Sequence, residues 1–176
     1  VYAGLGAGGN AICLLDAETG QELQRITTPY PVFGPPAIAE GRLYVGMGHR
    51  AYVHSAAELG LPAAGEMWCI DLSNFTVVWK YPLEDTVLGA AAAAGDEIYF
   101  GCRDGQVLAL STQGQLRGKW HAHVPIIASP AVTDTHVYVM THTGTLYALD
   151  RATMQPAWEQ TLSTQPLCIS SPTVAR

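Results

Sequence analysis

Charge is what this 176-residue chain has least of. Asp, Glu, Lys and Arg make up only 14% of it, and the nine basic residues are scattered rather than clustered. Phosphate binding depends on grouped Lys and Arg, so a chain of net charge −6 excludes nucleic acid as a partner. Long apolar runs are absent too, and no segment reaches the roughly 20 residues a membrane-spanning helix needs. The four cysteines, Cys13, Cys69, Cys102 and Cys168, stand singly. They form neither a C-x-x-C pair nor a C-x-x-C-H haem attachment site, and they read as small buried hydrophobes. The chain begins at Val1 with neither an initiator Met nor a signal-peptide pattern, so it reads as a processed chain or an excerpt whose targeting is not legible. Disorder is excluded by a hydrophobic content of 48%.

What is present is repetition. The segments VYAG, LYVG, IYFG and VYVM place tyrosines at Tyr2, Tyr44, Tyr99 and Tyr138, spaced by 42, 55 and 39 residues. Self-similarity near 40 residues, written in β-branched and aromatic runs with Gly-rich turns between them, predicts β-propeller blades. The expected architecture is all-β, a propeller of four-stranded antiparallel blades. One such domain covers residues 1–176, in units of about 1–42, 43–97, 98–136 and 137–176. Pro36 to Tyr44, Ala91 to Tyr99 and Pro130 to Tyr138 keep one spacing although Ala replaces Pro in one unit, which points to a geometric requirement.

With strands lettered A to D from the axis outward, the chain starts on a B strand and ends just after an A strand near Pro172-Thr173-Val174. It therefore contains three complete blades and one split one. The lone A strand can close on the first unit, on a second copy, or on residues of a longer polypeptide. The last is favoured, with this chain as part of an eight-bladed ring and the remaining blades in the same longer chain or in a second copy.

The units carry variants of A-x-D-x-x-x-G-x-x-x-W. The fourth keeps Ala148, Asp150 and Trp158, with Met154 at the Gly position. The second keeps Asp71 and Trp79, with Cys69 and Phe75 at the Ala and Gly positions. The third has Ala109 and Trp120, with Ser111 for Asp and an extra residue expected in the turn. The first keeps Asp16 and Gly20 but has Gln24 for Trp. This wording resembles the pyrroloquinoline-quinone-like (PQQ-like) propeller repeat of quinoprotein alcohol dehydrogenases and of outer-membrane-assembly lipoproteins. The resemblance implies that Asp16, Asp71, Trp79, Trp120, Asp150 and Trp158 serve inter-blade docking, and that the compartment is extracytoplasmic, the periplasm of a bacterium.

Gly4-Leu5-Gly6-Ala7-Gly8-Gly9 satisfies G-x-G-x-x-G, but a strand rather than a helix is expected next, so it reads as a B–C turn and not a dinucleotide site. The second unit is lengthened by an insertion at 49–65, in which residues 55–60 suit one short helical turn. Insertions on rigid scaffolds commonly carry binding. Strand alternation puts B–C and D–A loops on one face, which gathers His49, Arg50, His54, Glu58, Arg103, Asp104, His121, His123 and His142, with Glu84 and Asp85 nearby. This is the candidate binding face. No metal site is assigned, because these histidines belong to three blades and lack a ligand spacing.

The function expected is a non-catalytic scaffold for a protein or peptide partner. The alternative is a fragment of a PQQ- and calcium-dependent quinoprotein dehydrogenase. Enzymes of that kind pair adjacent cysteines, and none are adjacent here, so the reading leans against an enzyme. No catalytic residue and no cofactor is assigned; PQQ and calcium belong to the alternative alone.

Overall fold

The computed structural model describes residues 1–6, 8–49, 62, 64–165 and 167–175. The described residues form strands and turns in two compact units, Val1–Val87 and Leu88–Arg176. In the first unit, β1 (Tyr2–Leu5), β2 (Ala11–Leu15) and β3 (Glu22–Thr27) make a three-stranded antiparallel sheet, blade 1. Blade 2 is the four-stranded sheet of β4 (Ala37–Ala39), β5 (Arg42–Gly48), β6 (Gly65–Asp71) and β7 (Thr76–Leu83). The second unit repeats the four-stranded plan twice. Blade 3 comprises β8 (Ala92–Ala94), β9 (Glu97–Gly101), β10 (Gln106–Ser111) and β11 (Leu116–His121); blade 4 comprises β12 (Ala131–Val132), β13 (His136–Met140), β14 (Thr145–Asp150) and β15 (Pro156–Thr161). Neighbouring strands in every sheet follow chain order, the meander that the repeats predict. The stretch expected as a lone A strand at 171–174 forms no ladder among the described residues.

Each B strand alternates its faces. In the first unit Tyr2, Ile12, Leu14 and Ile26 of blade 1 meet Leu43, Val45, Ile70 and Phe75 of blade 2. In the second, Tyr99, Val107, Ala109 and Trp120 of blade 3 meet Val137, Val139, Leu149 and Met154 of blade 4. Leu43, Ile70, Val137 and Leu149 are completely buried, and each contributes about 1.5–3 kcal/mol on leaving water. Tyr2 and Tyr99 thus point toward the following blade, and Leu43, Val45, Val137 and Val139 toward the preceding one.

The glycine closing VYAG, LYVG and IYFG has a steric cause. A Cβ added at Gly46 would lie 2.4 Å from Val87 Cβ, and one at Gly101 2.2 Å from Ile126 Cγ2. The linker entering the next blade packs its β-branched residue directly on that backbone. The fourth repeat has Met140 in this place, and Cys168 where the linker elsewhere has Val or Ile.

Candidate functional site

The docking motif is built on a C–D turn. Asp16 Oδ1 accepts hydrogen bonds from Thr19 N at 2.8 Å and Thr19 Oγ1 at 2.9 Å, and Asp150 Oδ1 accepts from Thr153 N at 2.9 Å and Thr153 Oγ1 at 2.8 Å. Ser73 N donates to Asp71 Oδ1 in the same way at 2.8 Å. These bonds favour the ionised acid, so all three carboxyls are held below the usual carboxylate range. The turn then places the motif's Gly position in the left-handed region: φ is +71° at Gly20, +53° at Phe75 and +55° at Met154. A side chain there is strained, yet Phe75 and Met154 are 7% and 3% exposed.

Just before this turn the C–D ladder slips by one residue in every blade, a bulge that turns the D strand. On the near side of the slip, Tyr44, Cys69 and Trp79 stand in one row across blade 2, as do Tyr138, Ala148 and Trp158 across blade 4. The central residue is small, so the outer rings approach over it: centroids are 6.1 Å apart for Tyr44–Trp79 and 5.9 Å for Tyr138–Trp158. Burial pushes the Tyr44 hydroxyl up to about 12 and the Cys69 thiol up to about 11. Trp158 is 45% exposed.

Blades 1 and 3 depart from that row. In blade 1 it reads Tyr2, Leu14, Gln24. In blade 3 it reads Tyr99, Ala109, Gly118, so the ladder corrects the expectation that Trp120 occupies the docking position. The extra residue is not in the turn: Ser111 N bonds Gln115 O, a span one residue shorter than Asp16 N to Gln21 O. Ser111 Oγ has a shorter reach than a carboxylate and accepts from Gln113 N and Gln115 N at 3.2 Å each, closing a tighter turn. Trp120 instead pairs with Val107, two residues along. It still faces blade 4, with its ring 4.7 Å from Tyr147.

Beside Gly118, Arg151 of blade 4 clasps blade 3. Its Nε donates to Tyr99 Oη at 2.8 Å, its Nη2 to Ala94 O at 2.9 Å, and it pairs with Glu97 at 3.5 Å. Tyr99 in turn donates to Glu97. Burial pushes the Tyr99 hydroxyl up to about 12.

The residues expected on the loop face belong to both units, and each unit is described by itself. In the first, His49 packs edge-on against Tyr30 at 4.6 Å, with its Nδ1 3.1 Å from Pro62 O. Arg50, His54 and Glu58, and the helical turn expected at 55–60, lie outside the described residues. Asp85 is buried and accepts from Thr86 N, so it serves its own linker rather than an exposed face.

In the second unit Asp104, His121 and His123 are linked through Gln106 and the ladder. Gln106, which follows the turn, binds Asp104 through its backbone and side-chain nitrogens at 2.9 and 2.6 Å and pairs across the ladder with His121. The His121 and His123 rings lie 4.4 Å apart, and His123 N donates to His121 Nδ1 at 2.8 Å. His142 N reaches Pro125 O at 2.9 Å, tying the blade 4 turn to the same linker. Among the described residues, Arg103 Nε is buried with no acceptor, and no group of three or more His, Cys, Asp and Glu is placed to hold a metal ion. The glycines at 4–9 precede strand β2, so no helix follows to receive a pyrophosphate.

Meandering four-stranded sheets with a recurrent C–D turn and aromatic row define a PQQ-like β-propeller. The family model described as outer membrane protein assembly factor BamB matches residues 1–124 and 117–176, and the chain belongs to that family. BamB from Moraxella catarrhalis is similar in fold, with 17% identity and a TM-score of 0.65 over 89% of this chain and 44% of its own. The computationally designed Ika8 protein is similar too, with 15% identity and a TM-score of 0.73 over 97% of this chain and 49% of its own. The chain thus spans less than half the length of each. No curated protein matches the sequence.

Proposed function

We propose that the chain is a non-catalytic propeller scaffold that holds a protein partner in an extracytoplasmic assembly. The observation that carries this is the match of an outer-membrane assembly-factor family along the whole chain. Further blades, in the same longer chain or in a second copy, complete the ring. The partner-facing surface is the B–C and D–A loop face of the second unit, where Arg103, Asp104, His121, His123 and His142 stand on turns and linkers of a rigid scaffold. The paired imidazoles suit a partner loop rich in carbonyl or carboxylate acceptors.

A photo-crosslinking residue placed at His123, in bacterial envelope preparations, tests this reading. A discrete protein adduct is expected there, with none from the opposite-face control at Asp134. Equal labelling from both positions overturns the assignment of the face. Reconstitution with quinone and calcium is expected to yield neither a quinone spectrum nor dye-linked alcohol oxidation; turnover would overturn the scaffold reading.

A further inference from the structure

The turns of this chain share a device in which a side-chain acceptor takes the backbone N–H two residues on. Ser73 N donates to Asp71 Oδ1 at 2.8 Å, Thr76 N to Asn74 Oδ1 at 3.1 Å, Gln106 N to Asp104 Oδ1 at 2.9 Å and Gln165 N to Ser163 Oγ at 3.1 Å. Each of these acceptors is an oxygen. In the linker that leaves β11 the acceptor is an imidazole nitrogen instead, since His123 N donates to His121 Nδ1 at 2.8 Å. An amide or hydroxyl oxygen accepts at every pH near neutrality, and so does a carboxylate. A ring nitrogen does not, because a proton on Nδ1 turns the acceptor into a donor.

The bond restrains a residue that needs restraint. His123 stands at φ +60°, in the left-handed region where a side chain is strained. The linker is pinned on both sides of it: Ala122 N donates to Gly105 O at 2.9 Å, and Ile126 N to Cys102 O at 3.2 Å. Residues 123–125 arch between these ties, so close to the blade 3 turn that a Cβ added at Gly105 would lie 2.7 Å from Val124 O and 3.3 Å from His123 N. The shape of the arch and the turn that carries Arg103 and Asp104 are therefore set together.

Both histidines are exposed, so protons reach them freely. The elements that meet the linker bring Lys119 on β11, Arg103 and Asp104 in the blade 3 turn and, through the bond from His142 N to Pro125 O, His142 of the blade 4 turn. Asp104 is the acid among them, and Gln106 engages both its oxygens. A protonated His121 thus gains no free carboxylate in exchange for the bond it loses. The two rings lie 4.4 Å apart, so charging both adds repulsion.

We infer that His121 is a proton-operated latch on the partner-facing surface. With Nδ1 bare, it holds His123 in the left-handed region and the arch against Gly105. With Nδ1 protonated the bond is lost, the rings repel, and residues 123–125 leave that conformation. This deepens the scaffold reading and rests on it for its consequence: partner contact at this face weakens as pH falls from about 8 to about 5, the interval in which a histidine changes charge.

NMR of the isotope-labelled chain tests the latch without a partner. His123→Asn tolerates the same backbone conformation and does not titrate, so His121 is then the ring of this linker whose proton is read. In that variant a scalar coupling across the hydrogen bond, from the residue 123 amide nitrogen to His121 Nδ1, is expected at about pH 8 and its loss at about pH 5. The amide signals of residues 123 and 124 should move with it, while those of Ala122 and Ile126 stay. Adding His121→Asn supplies an oxygen acceptor of the kind used at Asn74, and the moving signals should then hold one position at both pH values. A coupling absent at the higher pH, one that survives protonation of the ring, or a double variant whose signals move as far as those of the single variant each overturns the latch. For the consequence, a photo-crosslinking residue at Thr143, exposed on the blade 4 turn, should form its partner adduct at the higher pH and lose it at the lower, and the His121→Asn chain should keep it at both. An adduct formed equally by the unaltered linker at both pH values overturns the regulation. Failure to form any adduct counts against the scaffold reading, and the coupling still decides the latch.

Discussion

The junction between blades 3 and 4 yields a prediction in which two variants must fall in an unusual order. Met154 is 3% exposed and packs with Tyr99, Ala109 and Leu149. Cutting it to Ala empties a packed site and is expected to cost about 2–4 kcal/mol, at or just below the upper range for such truncations because Gly118 leaves the neighbouring sheet free to close in. At an ordinary buried position Gly would be worse than Ala by about 0.5–1 kcal/mol. At φ +55° the order should reverse, since a Cβ in the left-handed region costs about 1–2 kcal/mol. Met154→Gly should therefore be as stable as Met154→Ala or more stable. Adding Gly118→Trp to Met154→Gly recreates the sequence combination of a Trp-bearing repeat followed by a Gly-bearing one, as at Trp79 and Gly114, whereas Gly118→Trp alone collides with the Met154 side chain. The cycle should show a favourable coupling of about 1–3 kcal/mol. Urea unfolding followed by tryptophan fluorescence gives all five stabilities. A loss below about 1 kcal/mol for Met154→Ala, or a Gly variant clearly weaker than the Ala variant, would refute the compensation.

Arg151→Lys keeps the charge but loses the fork that reaches Tyr99 Oη and Ala94 O together, and should cost about 1–3 kcal/mol in the same assay, with the loss reduced in a Tyr99→Phe background. Gly46→Ala should destabilise by about 1–3 kcal/mol or more, because its methyl would meet Val87 at 2.4 Å; a neutral result would show that the linker yields. Asp16, Asp71 and Asp150 have folded-state acidities below the usual value. Protonation thus favours the unfolded chain, and their contribution, complete above the unfolded carboxyl range near about pH 4, is lost as pH falls through the lowered values. Asp150→Asn should lower the melting temperature at neutral pH and flatten its acid limb; an unchanged limb would remove Asp150 from the account.

Much of this protein was legible in its sequence because a repeat states its own geometry. The tyrosines at 2, 44, 99 and 138 mark B strands, and the constant spacing from Pro36, Ala91 and Pro130 marks the A–B hairpins. The glycines at 4–9 could be recognised as a turn because the other repeats have turns there. Side-chain alternation and turn chemistry are local properties, so they survive in one dimension. Placing Trp120 failed because motif counting cannot see a ladder: the shorter Ser111 turn moved the register, and only strand pairing shows that Gly118 holds the docking row. Asp85 likewise sits in a face-forming loop, yet packing turns it inward.

The amino-acid order by itself determined that this chain folds into meandering blades, where the turns fall and which residues alternate inward. Those outcomes follow from period, propensity and φ preference within a few residues. Only the tertiary structure decided which departures from the motif meet one another, because Phe75 with Tyr2 and Met154 with Gly118 are neighbours across sheets and not along the chain. Volume at these two junctions is filled between neighbouring blades rather than within one.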